Sequence, residues 1–145
     1  MTGHVFQVFL TDDDQSAVLS TIAAHLNRKG TFIFDSRNPI SRTWEGRSRH
    51  NTLHRLDHPQ LGTVEAWNEP SYDESTNILT YENGYRVLDT GRAFSGSARI
   101  RYTPQEELAE RLASVGLAVE TWLGDWEGNP YHSAARDIIP IGRLT

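Results

Sequence analysis

Between Thr11 and Gly30 the apolar positions fall at helical spacing. Val18, Leu19, Ile22, Ala23 and Leu26 make one stripe among polar neighbours. Thr11 can cap the N-terminus of this helix, and Asp12, Asp13 and Asp14 put negative charge on its first turn, where the helix dipole favours it. Arg28 and Lys29 follow the stripe, and Gly30 is expected to supply a left-handed stop. The pattern then changes. Phe32, Ile33 and Phe34 run without polar alternation, which predicts a strand covered on both faces, as in a parallel sheet. Ahead of the helix, Val5, Phe6, Val8, Phe9 and Leu10 surround a single polar Gln7 and predict the end of a strand. The chain thus opens inside apolar material, and a further segment upstream is expected, because termini of complete domains are usually polar and loosely held.

Residues 40–60 are polar and irregular, and a loop or short helix is expected there. Residues 61–68 alternate around Val64 and Trp67 and predict a strand; 69–76 read as a turn; 77–88 read as a second strand. Asn83-Gly84 and Asp89-Thr90-Gly91 are rival turn signals. The second is favoured, with a bulge at Gly84, because it leaves a long strand to pair with residues 92–102. Residues 61–102 are therefore expected to form an antiparallel three-stranded sheet. Thr103, Pro104 and Glu106 predict a capping box that opens a second helix, with Leu108, Ala109, Leu112 and Val115 inward and Gly116 as its stop. A strand over 117–123 should turn Leu117, Val119, Thr121 and Leu123 to one face. The loop 124–130 and a last strand over 137–143 complete the chain, and Pro140 should sit where no ladder donor is needed.

At 145 residues the chain is long enough for one domain with a real core, residues 1–145, with 61–102 as an excursion within it. A net charge of −5 without any basic block argues against nucleic acid as a partner, because phosphate binding needs clustered cations. The absence of cysteine excludes disulfides and thiolate metal sites. No apolar run reaches the length of a membrane span and no signal peptide is recognisable, so no membrane partner and a cytoplasmic location are expected.

The segments MTGHVFQVFL, HLNRKG before TFIFDSRNP, LDTGRAFSGSARIRYTPQEELAERLASVGLAVE, and GDWEGNP before the last strand carry a resemblance. In this order and spacing they resemble the C-terminal half of a class I S-adenosylmethionine-dependent methyltransferase. The resemblance implies an α/β fold: part of a Rossmann-like sheet with flanking helices and an inserted antiparallel three-stranded sheet. It implies S-adenosylmethionine as cofactor and a small-molecule methyl acceptor. The glycine-rich cofactor loop of such enzymes has no counterpart, since no G-x-G occurs in the chain. The chain alone is therefore expected to lack activity. It is also expected to self-associate as a homo-oligomer through the sheet edge where further strands would pair.

The resemblance places Thr2, Gly3, His4 and Gln7 beside the cofactor's methionine portion and the transferred methyl, with His4 as a candidate base. Asp35 and Arg37 lie with Asn38 at a strand end, where ligands bind in open α/β sheets; Asp35 and Asn38 could equally shape the turn before Pro39. Trp126, Tyr131 and His132, with Asp125 beside them, could wall a substrate pocket, and Trp44 and Trp67 could line one on the excursion; each tryptophan could also be buried bulk. His50, His54 and His58 would share a face if helical, as metal ligands can, but the segment has little helix support and no metal is expected. Two readings from other classes stand beside the methyltransferase: a non-catalytic binding or interaction module, and a metal-dependent enzyme built on the histidine segment.

Overall fold

The computed structural model describes all residues, Met1–Thr145. The fold is mixed α/β with two antiparallel sheets. It divides into two compact units, Met1–Arg42 with Ile100–Thr145, and Thr43–Arg99. The second unit is wider than the excursion expected over 61–102.

In the first unit, α1 (Asp12–His25) starts where expected: the Thr11 side chain accepts from the Asp14 N–H. Leu19 is fully buried, with Val18, Ile22, Ala23 and Leu26 packed around it. The end differs from expectation. Leu26 is already extended, so Arg28 and Lys29 lie beyond the helix, and Gly30 is not left-handed but closes a turn through its N–H to the Asn27 carbonyl. Residues 5–8 form a 3₁₀ turn and not a strand end; it buries Phe6 and Gln7.

β1 (Phe32–Ile33) and β2 (Ser36–Arg37) run along one side of β8 (Asp137–Leu144), and β7 (Leu117–Leu123) runs along the other. All of these pairings are antiparallel, so the run Phe32–Phe34 does not belong to a parallel pair; Ile33 is only half-buried, and Phe32 and Phe34 are covered by the core they share with Phe6 and Leu19. The ladder to β8 breaks opposite Phe34 and Asp35, between the pairs Ile33↔Ile141 and Ser36↔Ile138. Pro140, which has no N–H to offer, falls in that gap. β7 carries a bulge between Val119 and Thr121, and the expected alternation fails past it: Thr121 is exposed while Trp122 packs on the core.

α3 (Gln105–Ser114) buries Leu108 and Leu112 as expected, and Gly116 stops it at φ 77. The capping box does not form. Thr103 is fully buried, and its hydroxyl accepts from Gln15 Nε2 at 2.9 Å. The core joins Phe6, Leu19, Phe32, Phe34, Leu108, Leu112, Leu117 and Ile138. Beside it Arg101 and Arg111 clamp Asp12 of α1 and Glu107 of α3, with contacts of 2.6–3.0 Å.

The second unit holds a short helix α2 (Arg49–Thr52) and a sheet of four strands: β3 (His54–His58), β4 (Gly62–Asp73), β5 (Ile78–Val87) and β6 (Ala93–Arg101), in that order. β6 is the strand that continues into the first unit. The expected three strands gain β3, which is exposed throughout and has a single apolar residue, Leu56, so it shows no hydrophobic alternation, and β4 runs on through residues 69–73 that were expected to turn. It is held by pairing: Arg55 reaches Glu65, and Asp57 accepts from Thr63. The preferred turn over 88–92 forms, with Gly91 at φ 68. No bulge occurs at Gly84; the β4–β5 register is unbroken from Val64↔Val87 to Asp73↔Ile78. Gly84 is there because the Trp67 indole crosses it, and a Cβ would lie 2.1 Å from the ring.

Candidate functional site

The ladder gap at Phe34–Asp35 sets up the site. Leaving the ladder there places Asp35 at the end of the β1 segment, where its carboxylate is 2% exposed. His4 reaches it from the N-terminal turn. Gly3 and His4 both have positive φ, 77 and 60, and this double left-handed step aims the His4 N–H at Asp35 Oδ1, 3.0 Å away. A histidine in that conformation costs about 1 kcal/mol or more and persists only where surrounding contacts hold it. Those contacts are on the ring as well: Nε2 lies 3.1 Å from Asp137 Oδ1 and 3.6 Å from Asp35 Oδ2. Trp126 closes the group, donating its indole N–H to Asp35 Oδ2 at 3.3 Å.

The loop after β7 is built to deliver Trp126. Asp125 Oδ1 accepts from the N–H groups of Glu127 and Asn129, and Oδ2 from the Asn129 amide. These bonds, the Asn129 side chain first, hold the Asp125 carboxyl below its ordinary value. Gly124 and Asn129 close the turn. Tyr131 is half-buried behind it; burial, then the Glu106 carboxylate, pushes its phenol above the ordinary value, and a hydrogen bond to Asn38 works the other way. Asn38 is 1% exposed and ties the two loops together, donating to the carbonyls of Ser133 and Ala135 at 2.9 and 2.8 Å.

The expected residues therefore separate into groups. His4, Asp35 and Trp126 meet directly. Tyr131 stands near Asn38, and His132 is exposed on the same loop. Arg37 pairs with Asp137 in the ladder and donates its backbone N–H to Gln7 Oε1 at 3.4 Å. Trp44 belongs to the other unit and stacks on Tyr72, centroids 4.1 Å apart; Trp67 lies there too, beneath the Arg49 guanidinium at 4.0 Å. His50 is on α2 while His54 and His58 are on β3, so the shared helical face does not exist. Asp137 was not among the residues expected. Its only signal was its place at the head of an apolar strand.

The positions aligned with a cofactor were Thr2, Gly3, His4 and Gln7. Gln7 is fully buried, its amide nitrogen donating to the Arg101 carbonyl at 3.1 Å and its oxygen accepting from Arg37. Thr2 and Gly3 are exposed, with open space around Gly3. These four do not form a cradle for S-adenosylmethionine by themselves. What the group sets side by side is an imidazole and two carboxylates, side chains that can give or accept a proton.

No protein-family model matches the chain, and no curated protein matches it in sequence. Solved structures do match it in fold. The CcbJ methyltransferase from Streptomyces caelestis superposes with a TM-score of 0.77 at 17% identity, covering 99% of this chain and 55% of that one. An S-adenosylmethionine-dependent methyltransferase from Clostridium acetobutylicum gives 0.76 at 16%, covering 99% and 56%. The sugar N-methyltransferase KedS8 from Streptoalloteichus gives 0.65 at 18%, covering 95% and 52%. The chain spans about half the length of these structures, and over that half its fold is methyltransferase-like.

Proposed function

We propose that this chain forms the acceptor-facing part of an S-adenosylmethionine-dependent methyltransferase that acts on a small molecule bearing an amine. The observation that carries the reading is the fold match over 99% of the chain to such enzymes. The amine is supported by the cluster itself. Asp35 and Asp137 present two carboxylates at one imidazole, which attracts an ammonium and repels an acidic acceptor. KedS8, named a sugar N-methyltransferase, is of the same fold. In this reading His4 takes the proton of the acceptor, Trp126 and Tyr131 wall the acceptor, and Arg37 and His132 lie at its margin. Thr2 and Gly3 face the cofactor, whose other contacts come from outside these 145 residues. The bound cofactor supplies an electrophilic methyl; the residues here orient the acceptor and handle its proton.

The test is transfer of labelled methyl from S-adenosylmethionine by the protein isolated from its native cells, against panels of small amines, phenols and carboxylic acids. Transfer to amines is expected, with none from the 145-residue chain by itself. A native protein that binds no S-adenosylmethionine overturns the reading.

A second reading, an interaction module that self-associates, is supported by the second unit. β6 is exposed from Ala93 to Arg99, and its centre, Phe94-Ser95-Gly96-Ser97, has no charge or proline to block edge pairing. Phe94, Tyr85 and Leu56 are about two-fifths exposed beside an apolar groove on the same sheet. The occupant proposed is a second copy of this chain. Light scattering should give a dimer that Phe94→Glu converts to monomer; a strict monomer at high concentration would remove this reading.

A further inference from the structure

Asp137 is fixed at the head of β8 by its backbone N–H to the Gly124 carbonyl, and its carboxylate makes one hydrogen bond, to His4 Nε2 at 3.1 Å. An ionised carboxylate only accepts. The hydrogen in that bond therefore sits on His4 Nε2, which also faces Asp35 Oδ2 at 3.6 Å. Neutral imidazole carries one ring hydrogen, so Nδ1 is left bare, and no protein group meets it.

We infer that Asp137 is a positioning residue: it holds His4 as the Nε2–H tautomer and makes Nδ1 the atom that accepts a proton from the methyl acceptor. This rests on the function proposed above and adds a residue and an atom to it. An ammonium acceptor gives up one N–H proton to Nδ1. The electron pair of that bond stays on the acceptor nitrogen as its nucleophilic lone pair, and His4 becomes an imidazolium whose Nε2–H faces both carboxylates. Asp137 touches neither acceptor nor cofactor in this scheme, and its influence passes through the ring.

The test uses the full 145-residue chain labelled with 15N-histidine. Long-range 1H–15N correlation at mildly alkaline pH reports which ring nitrogen carries the hydrogen. His4 is assigned among the six histidines by the signal lost in His4→Gln. The wild type should show Nε2–H alone. Asp137→Glu should keep it, because a carboxylate still accepts there. Asp137→Asn should move hydrogen to Nδ1, because an amide can donate to Nε2, while the remaining histidine signals stay in place. If Asp137→Asn does not fold, Asp137→Ser gives the same readout, loss of the single tautomer. A wild-type ring protonated on Nδ1, or an Asp137→Asn spectrum identical to wild type, overturns the inference. The readout needs no cofactor, so the two claims fail separately: inactivity toward every acceptor with the expected tautomer change removes only the function, and activity with an unchanged tautomer removes only the role of Asp137.

Discussion

The backbone N–H of His4 donates to Oδ1 of Asp35 at 3.0 Å, and the indole of Trp126 donates to the other oxygen of the same carboxylate at 3.3 Å. One buried side chain thus orders two segments that are far apart in sequence. Asp35→Ala leaves both donors without a partner, and a lost charge-assisted hydrogen bond in a buried setting costs about 1.5–3 kcal/mol. Urea denaturation should show a lower midpoint by that order, and the Trp126 emission should move toward that of a solvated indole. An unchanged midpoint would mean that the carboxylate does not hold the loop.

Gly84 faces Trp67 across the β4–β5 ladder with no room for a methyl group. Gly84→Ala should destabilise the second unit by about 1–3 kcal/mol, the usual result of overpacking. The double variant with Trp67→Leu should recover most of the loss. Thermal melts of the four members of this cycle decide it; additive effects would contradict the contact.

Gln15 and Thr103 are both fully buried and bonded to each other, and Gln15 also donates to the Phe9 carbonyl. Gln15→Leu should cost about 1–3 kcal/mol, because it strands the Thr103 hydroxyl and a carbonyl together. Pairing it with Thr103→Val should cost less than the single change, as one stranded group is then gone. Chemical denaturation of the single and double variants measures the difference.

Ser36 makes the opposite case. It is fully buried and its hydroxyl has no hydrogen-bond partner. Ser36→Ala should leave stability unchanged or raise it by up to about 1 kcal/mol, since no bond is lost and a desolvated hydroxyl is removed. A clear drop in the unfolding midpoint would reveal a partner for that hydroxyl in solution.

The Arg101 and Arg111 side chains hold the Asp12 carboxyl below its ordinary value. A carboxyl with a depressed folded value contributes stability above the unfolded value, and that contribution fades as pH falls through the folded value. Stability measured from neutral pH down through the acid range should therefore fall less steeply in Asp12→Asn than in wild type. Asp12 is largely exposed, so the difference is expected to be small and to shrink in high salt. Parallel pH profiles would rule the linkage out.

Several of the elements were legible because their signals are local. Thr11 and the acidic first turn mark the start of α1, the 3.6-residue stripe marks its buried side, Gly116 ends α3, and Asp89-Thr90-Gly91 marks the β5–β6 connection. Each of these is decided by atoms within a few residues of one another. His4 was also marked as a candidate through resemblance, Asp35 through its place at a strand end, and Trp126 through the stacking and hydrogen-bonding side chains of its loop.

The failures share a physical reason. A side chain's partner is chosen by what folding brings alongside it, and sequence spacing carries no record of that. Thr103 has the composition of a helix cap, but the fold offers it Gln15, 88 positions away, in a place without water. β3 has no hydrophobic alternation and exists because β4 presents an edge to it. A bulge in β7 turns Trp122 inward against the pattern of its own strand. Asp137 looks like the first residue of an apolar strand until the chain returns His4 to it across 133 positions. The sequence determined the elements with local signals, α1, α3, β5 and the turn after it; the tertiary structure decided β3 and which polar atoms meet, because each of those meetings joins groups that local preference cannot bring together.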